Sequence, residues 1–316
     1  MVMVKISEVS KRYGEVVALS RFDMTVKRGS ISGFVGPNGA GKSTTIRIIT
    51  GLAKPDGGSA WIFGKNPYDN REVKERIGFV SEHNDLYSWA TVWETVKMFA
   101  RLMNPEKKVV DDQVKEAIGL VAMTKFRERK VSTLSKGMRQ RTKIATALVH
   151  RPEFLVLDEP LGGLDPLGRR TVMNLLRRLN KEDGVSVLIS SHVLEELEEL
   201  VDRVTLIHRG QTLAEGSPKR IRGLLYQYPH EIVFKAQNDH AREIASGLIE
   251  IDGLVRALHV TESEKELTEF RVMTPKPEEF YDELTKIAVK TKSPILSLDT
   301  ISESVERLFE YLVTGV

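Results

Sequence analysis

The chain contains no cysteine. That excludes a disulfide framework, a thiolate metal site and a cysteine nucleophile, leaving packing and hydrogen bonds to hold the fold, as suits a reducing cytoplasm. Aromatic residues are sparse, at 7%. Long apolar runs are missing as well: stretches such as Phe154-Leu155-Val156-Leu157 fall far short of the roughly 20 residues that span a bilayer, so the chain is not expected to cross a membrane by itself. The opening residues Met1-Val2-Met3-Val4-Lys5 carry no apolar core of a signal peptide, and secretion is not expected. No internal repeat, low-complexity tract or Gly/Ser linker interrupts the sequence.

What is present is a 316-residue chain with 41% hydrophobic residues, enough for about two globular domains and against a disordered or fibrous class. Its formal net charge of +3 conceals an asymmetry. Residues 1–220 carry 36 basic and 27 acidic side chains, whereas residues 221–316 carry 11 and 17. A basic first part is compatible with nucleic acid, an anionic membrane surface or a bound polyphosphate, and composition does not separate these.

The pattern along the chain begins with antiparallel strand signals broken by Gly14 and by the turn Lys27-Arg28-Gly29-Ser30. An apolar strand over 30–35 then stops at a glycine-rich loop that runs into a helix over 44–49. Helical spacing dominates 91–150. Apolar strands at 154–157, 185–189 and 204–207 alternate with helical patterns over 167–180 and 193–200, which argues for an α/β core with a parallel sheet. After Gly216-Ser217-Pro218 the charge balance changes, and the expected domains are 1–220 and 221–316. The second reads as a small α+β domain in βαββαβ order, with strands at 231–235, 255–260, 270–273 and 295–298 and helices at 241–251 and 277–289. A terminal helix is expected over 304–313.

The strongest chemical signal is Gly36-Pro37-Asn38-Gly39-Ala40-Gly41-Lys42-Ser43, followed by Thr44, a G-x-x-x-x-G-K-[ST] loop in the strand–loop–helix setting that the motif requires. Its glycines let backbone N–H groups converge on phosphate oxygens, and the helix beginning near Lys42 adds its positive dipole end. Lys42 would reach the β- and γ-phosphates, and the Ser43 hydroxyl would meet Mg²⁺. More than a hundred residues later, the apolar strand 154–157 ends in Asp158-Glu159-Pro160. Two carboxylates there suit metal-dependent phosphate hydrolysis, with Asp158 assigned to Mg²⁺ and Glu159 to polarising the attacking water.

With these motifs in place, the chain resembles the ATP-binding subunits of ATP-binding-cassette (ABC) transporters. Leu134-Ser135-Lys136-Gly137-Met138 is similar to the family signature, usually Leu-Ser-Gly-Gly-Gln. Leu161-Gly162-Gly163-Leu164-Asp165 resembles its D-loop, Ser190-Ser191-His192 its switch histidine, and Lys11-Arg12-Tyr13-Gly14 the loop whose aromatic ring stacks on adenine. The fold implied is a P-loop NTPase cassette: a RecA-like core, an antiparallel β subdomain and a helical subdomain. Two motifs depart from the family pattern. Glu82 stands where the Q-loop usually has Gln, and a carboxylate there is still able to bind Mg²⁺. Lys136 and Met138 replace Gly and Gln of the signature, a variant typical of the ABC-2-type exporter branch.

The resemblance implies an ATPase with ATP and Mg²⁺ as cofactors, working through a separate integral membrane permease. Each chain carries a single phosphate loop and a single signature, so Ser135, Lys136, Gly137 and Met138 would complete the site of a second copy in a head-to-tail homodimer. The basic residues Lys125, Arg127, Arg129, Lys130, Lys136, Arg139, Arg141 and Lys143 read either as a solvated face or as charge for that partner's triphosphate. Phe79, Leu86, Tyr87, Trp89 and Trp93 are candidates for a permease-docking groove or for core. The subunit would sit on the cytoplasmic face of the cell membrane through the permease. A non-transport ABC ATPase acting on DNA or the translation machinery is the alternative reading. The absence of coiled-coil insertions, a second cassette and an aromatic–basic nucleic-acid motif speaks against it, and no nucleic acid is expected as a partner. A small-molecule kinase would leave the signature, D-loop and His192 unexplained. The acidic tail, 221–316, shows no catalytic constellation, and the resemblance implies an accessory role in dimerisation or regulation.

Overall fold

A computed structural model describes residues 1–83, 86–103, 110–221, 230–263 and 267–301. The chain divides into two compact units, Met1–Pro218 and Lys219–Val316.

The first unit opens with the long strands β1 (Val2–Tyr13) and β2 (Val16–Lys27), which pair antiparallel. With β4 (Gly57–Ile62) they form a three-stranded sheet in the order β2-β1-β4. Buried Met3, Val4, Ile6 and Val9 attach this sheet to a shared apolar core that includes Phe22, Phe34, Ile46 and Ile49, and register shifts beside Val4 and Val9 break the simple alternation. The second sheet holds six strands in the order β5-β6-β7-β3-β8-β9. These are β5 (Ile77–Val80), β6 (Phe154–Leu157), β7 (Ser186–Ser191), β3 (Ile31–Val35), β8 (Arg203–His208) and β9 (Gln211–Gly216). All pairs but β8–β9 are parallel. Every residue of β3, β6 and β7 is buried, which is why these segments read as continuous apolar runs without alternation.

The helices follow their local signals. α1 (Lys42–Ile49) starts at Gly41, and α2 (Arg71–Glu75) is capped by the Asn70 side chain. Helices α3 (Val92–Met103), α4 (Val110–Leu120) and α5 (Lys136–Leu148) make up the helical region. The Ser135 hydroxyl caps α5 by accepting the Met138 N–H at 3.2 Å. α6 (Pro166–Asp183) begins with Asp165 accepting the Gly168 N–H at 2.7 Å, has Pro166 in its first turn, and stops at Gly184 in the left-handed region.

One expected helix is not formed. Residues 193–200 fold as consecutive tight turns, with the Leu197 N–H bonded to the Leu194 carbonyl and the Leu200 N–H to the Leu197 carbonyl. Leu194, Leu197 and Leu200 are buried at a spacing of three, which suits i→i+3 turns. Glu195, Glu196, Glu198 and Glu199 crowd the remaining positions with like charge, which an α-helix would stack within one or two turns.

The second unit follows the βαββαβ order. Its elements are β10 (His230–Gln237), α7 (Ala241–Ile249), β11 (Ala257–Ser263), β12 (Leu267–Thr274), α8 (Pro277–Thr291) and β13 (Ile295–Ile301). The sheet order is β11-β12-β10-β13, antiparallel throughout. Its core joins Phe234, Phe270 and Phe280 to Ile244, Leu248 and Leu284. The Phe234 and Phe270 rings stack with centroids 4.6 Å apart. The terminal helix expected over 304–313 lies outside the described residues.

Candidate functional site

The parallel strands β3, β6 and β7 finish at the same edge of their sheet, where an α/β fold gathers its loops. From β3 the chain enters the loop Gly36 to Gly41 and then α1. Two glycines are demanded by the backbone. A Cβ on Gly36 would lie 2.3 Å from the Ile207 carbonyl oxygen, and Gly41 adopts a φ of 111° beside the Ala18 carbonyl. α1 has no acidic residue in its first turn and no side-chain cap, so its leading N–H groups face the loop and favour an anion. Ser43 is exposed at this end, Thr44 is half-buried, and Asn38 and Gly39 form the exposed rim next to Pro37 and the buried Ala40.

Lys42 is buried, and its ammonium donates to the Gly36 carbonyl at 2.6 Å and the Pro37 carbonyl at 3.1 Å. It also lies 3.3 Å from Glu159 Oε1. Glu159 follows β6, and its backbone sits in the left-handed region at φ 47°, a strained conformation for a residue with a side chain. That strain is held by the Glu159 N–H donating to Ser190 Oγ at 2.8 Å. The second carboxylate oxygen, Oε2, is 2.9 Å from His192 Nδ1. Because an ionised carboxylate is acceptor-only, Nδ1 carries the hydrogen and donates. Glu159 Oε1 is buried and accepts no hydrogen bond. Asp158, also buried, accepts from Ser190 Oγ at 2.7 Å through Oδ1.

Asn38, Glu82, Lys136, Glu159 and His192 line one cleft of about 350 Å³, together with Arg139, Gln140, Lys143, Gly162 and Leu164. The cleft thus brings together residues from the phosphate loop, the Q-loop position, the start of α5 and the ends of β6 and β7. Lys136 reaches over Gly163, where a side chain would have to displace its ammonium. Other candidates stand apart from this contact set. Tyr13 is exposed at the end of β1, its ring under the Lys11 ammonium at 5.5 Å. Asp165 caps α6, and Ser135, with Gly137 and Met138 following it, caps α5.

Sequence reasoning did not single out the individual role of Ser190, although a hydroxyl at the carboxyl end of a largely apolar strand was a usable signal. It also treated Lys143 and Arg141 as part of a basic face. Both are turned inward: Lys143 is buried against loop carbonyls, and Arg141 donates to the Val121 and Ala122 carbonyls at 3.3 Å each. The helical period of α5 rotates these two positions toward neighbouring elements. Of the groove candidates, Tyr87 and Trp89 are exposed with ring centroids 5.7 Å apart and line a groove of about 460 Å³ with Ala90, Met98 and Leu102. Trp93 lies under Lys97 and Arg127.

The oxygens of Ser43, Asp158 and Glu82 are hard donors of the kind Mg²⁺ takes. Among the described residues, no group of three or more His, Asp or Glu is arranged to hold a metal by itself. No helix among the described residues is long and apolar enough to cross a membrane.

Residues 19–162 match the ABC transporter family. The bacitracin transport ATP-binding protein BcrA of Bacillus licheniformis is 42% identical over 214 residues, covering 67% of this chain and 69% of that protein. The uncharacterized ABC transporter ATP-binding protein YcbN of Bacillus subtilis (strain 168) is 32% identical over 315 residues, covering 98% and 96%. Among solved structures, CbiO1 from Clostridium perfringens, part of the ABC transporter complex CbiONQ, matches with a TM-score of 0.65 at 30% identity, over 70% of this chain and 91% of that one. A dimeric ATP-binding cassette bound to ADP and Pi matches with a TM-score of 0.62 at 28% identity, over 68% and 99%. On the strength of the motifs, the sheet order and these relatives, the chain belongs to the ABC transporter family, as an ATP-binding subunit.

Proposed function

We propose that this subunit hydrolyses ATP with Glu159 as general base, and that it does so in a head-to-tail homodimer that drives a separate membrane permease. The observation that carries the reading is the convergence of Lys42, Glu159 and His192. A lysine at a phosphate loop lies 3.3 Å from a buried carboxylate oxygen that accepts no hydrogen bond, and a histidine sits 2.9 Å from the other oxygen.

Lys42 and the first amides of α1 hold the β- and γ-phosphates. Ser43, Asp158 and Glu82 are the residues that would hold Mg²⁺, which supplies charge neutralisation on the phosphate oxygens when bound. Glu159 Oε1 accepts a proton from water as its oxygen forms a bond to the γ-phosphorus, while the bond to the β,γ-bridging oxygen breaks and ADP leaves with that electron pair. His192 keeps the carboxylate oriented and lies within reach of the released phosphate. Tyr13 stacks on adenine. Ser135, Lys136, Gly137, Met138 and Asp165 act on the nucleotide of the second copy, as the exposure of Ser135, Lys136 and Asp165 permits.

Residues 1–220 form the cassette in this reading, and 221–316 an accessory domain for dimerisation or regulation. The groove at Tyr87 and Trp89 receives the permease, which places the subunit on the cytoplasmic face of the membrane. The Lys136/Met138 form of the signature and the likeness to a bacitracin transport protein support an ABC-2-type exporter. Glu159→Gln tests the chemistry: turnover is abolished while ATP still binds and the dimer accumulates. Retained hydrolysis in that variant removes Glu159 from the role.

A further inference from the structure

Lys42 and Lys143 are the buried lysines among the described residues. The first belongs to the phosphate loop. The second lies on α5, about two turns beyond Ser135, and its ammonium points at three successive carbonyls of the loop that follows β5. Its Nζ is 2.5 Å from the Ser81 oxygen, 2.6 Å from the His83 oxygen and 3.4 Å from the Glu82 oxygen. An ammonium is donor-only, and all three carbonyls are acceptors that it can use. Taking such a charge out of water is expensive unless it is fully bonded. What the charge adds over an apolar side chain of the same length is a grip on the backbone of residues 81–83.

That backbone carries Glu82, whose side chain lines the cleft shared by Asn38, Glu159 and His192, and Lys143 lines the same cleft. α5 is a continuous helix of 13 residues, rigid over the distance from Ser135 to Lys143. A shift of its amino-terminal end therefore moves the ammonium and the three carbonyls with it. We infer that Lys143 is a positioning residue that sets where Glu82 stands at the metal side of the bound nucleotide, so that the position of the signature helix and metal engagement by Glu82 change together. The inference rests on the nucleotide reading above and assigns a role to a residue outside the phosphate loop, the carboxylates and the signature itself.

The test measures ATP binding calorimetrically in a Glu159→Gln background, once with Mg²⁺ and once with EDTA. Lys143→Met is expected to reduce the Mg²⁺-dependent gain in affinity by about 10-fold or more, as supporting residues around metal ligands do. Binding in EDTA stays within about twofold. Glu82→Ala loses the same Mg²⁺-dependent gain, and the double variant loses no more than either single one, because both act through one link. Lys143→Arg restores part of the gain, since the guanidinium keeps several donors at that place. If Lys143→Met does not fold by circular dichroism, Lys143→Gln, which retains two donors, carries the same comparison. An unchanged Mg²⁺ gain overturns the inference, as does an equal loss in EDTA or strict additivity with Glu82→Ala. Failure of the Glu82- and Lys143-intact protein to bind ATP in either buffer overturns the nucleotide reading as well, so the two failures are distinguishable.

Discussion

In the first unit, β3, β6 and β7 run parallel and end at one edge, where Lys42, Asp158, Glu159 and Ser190 are linked by short polar contacts. In the second, β10, β11, β12 and β13 run antiparallel, and the largest buried side chains are Phe234, Phe270 and Phe280. The difference follows from how each sheet is connected. Parallel strands return by crossovers, so the loops leaving their carboxyl ends share one edge and can aim a helix N-terminus and several carboxylates at one point. Antiparallel neighbours send successive connections to opposite ends, and a compact four-stranded example has little opportunity to concentrate charge. The polar cluster of the first unit and the aromatic core of the second are thus consequences of two strand arrangements.

The comparison is most severely tested at Lys42. Lys42→Met is expected to lower ATP turnover by about 1,000-fold or more, or upward of 4 kcal/mol in the barrier, because a charge on the transferring phosphoryl group is lost. Urea unfolding of the second unit is expected to stay as it was. Turnover close to wild type would dissolve the contrast. Phe234→Ala attacks the other side: it removes a fully buried ring stacked on Phe270 and should cost about 3–4 kcal/mol in the unfolding of the second unit. ATP affinity should not move, and a marked drop would show that the units do not separate function from packing.

Ser190→Ala is a finer probe within the first unit. The hydroxyl donates to Asp158 and accepts from the strained Glu159 backbone, so its loss leaves a buried N–H and a carboxylate oxygen unpaired. A stability loss of about 1–3 kcal/mol is expected, along with a fall in kcat larger than any change in ATP affinity. A variant with wild-type kcat would show that Ser190 does not hold Glu159 in place.

The smallest effect is expected at Glu153, whose carboxyl is held below the usual carboxylate range chiefly by its hydrogen bond from Arg76, with Arg28 on its other oxygen. The native pKa is depressed, so the stabilisation is fully present above the unfolded value of about 4.3 and is lost as pH falls through the native one. The group is half-exposed and solvent screens it, so Glu153→Gln should cost at most about 1 kcal/mol at pH 7. The gap between variant and wild type should close in urea titrations carried toward pH 3. A gap that persists at low pH would mean that packing, and not charge, sets its contribution.

Contiguous signals made much of this molecule readable. The loop from Gly36 to Ser43 is a local pattern with a local function, and Asp158-Glu159 could be placed because an apolar strand precedes it. The βαββαβ order of the second unit follows from alternating and helical spacing. Residues 193–200 were misread because three leucines among four glutamates satisfy a rough helical period, while the chain settled on turns that bury the leucines three apart. Lys143 looked like one more member of a basic run, and nothing within its own segment announced carbonyl partners 60–62 residues away.

By itself, then, the sequence determined the elements whose cause is local: the parallel-strand runs, the phosphate loop and the change of charge balance after Pro218. Tertiary structure alone decided that Ser190 joins Asp158 to Glu159, that His192 meets Oε2 of that carboxylate, and that Lys143 holds the loop of Glu82. Those contacts link residues 31 to 62 positions apart. Hydropathy and propensity act over a few residues, whereas such contacts exist only after sheet order has fixed which strand ends become neighbours.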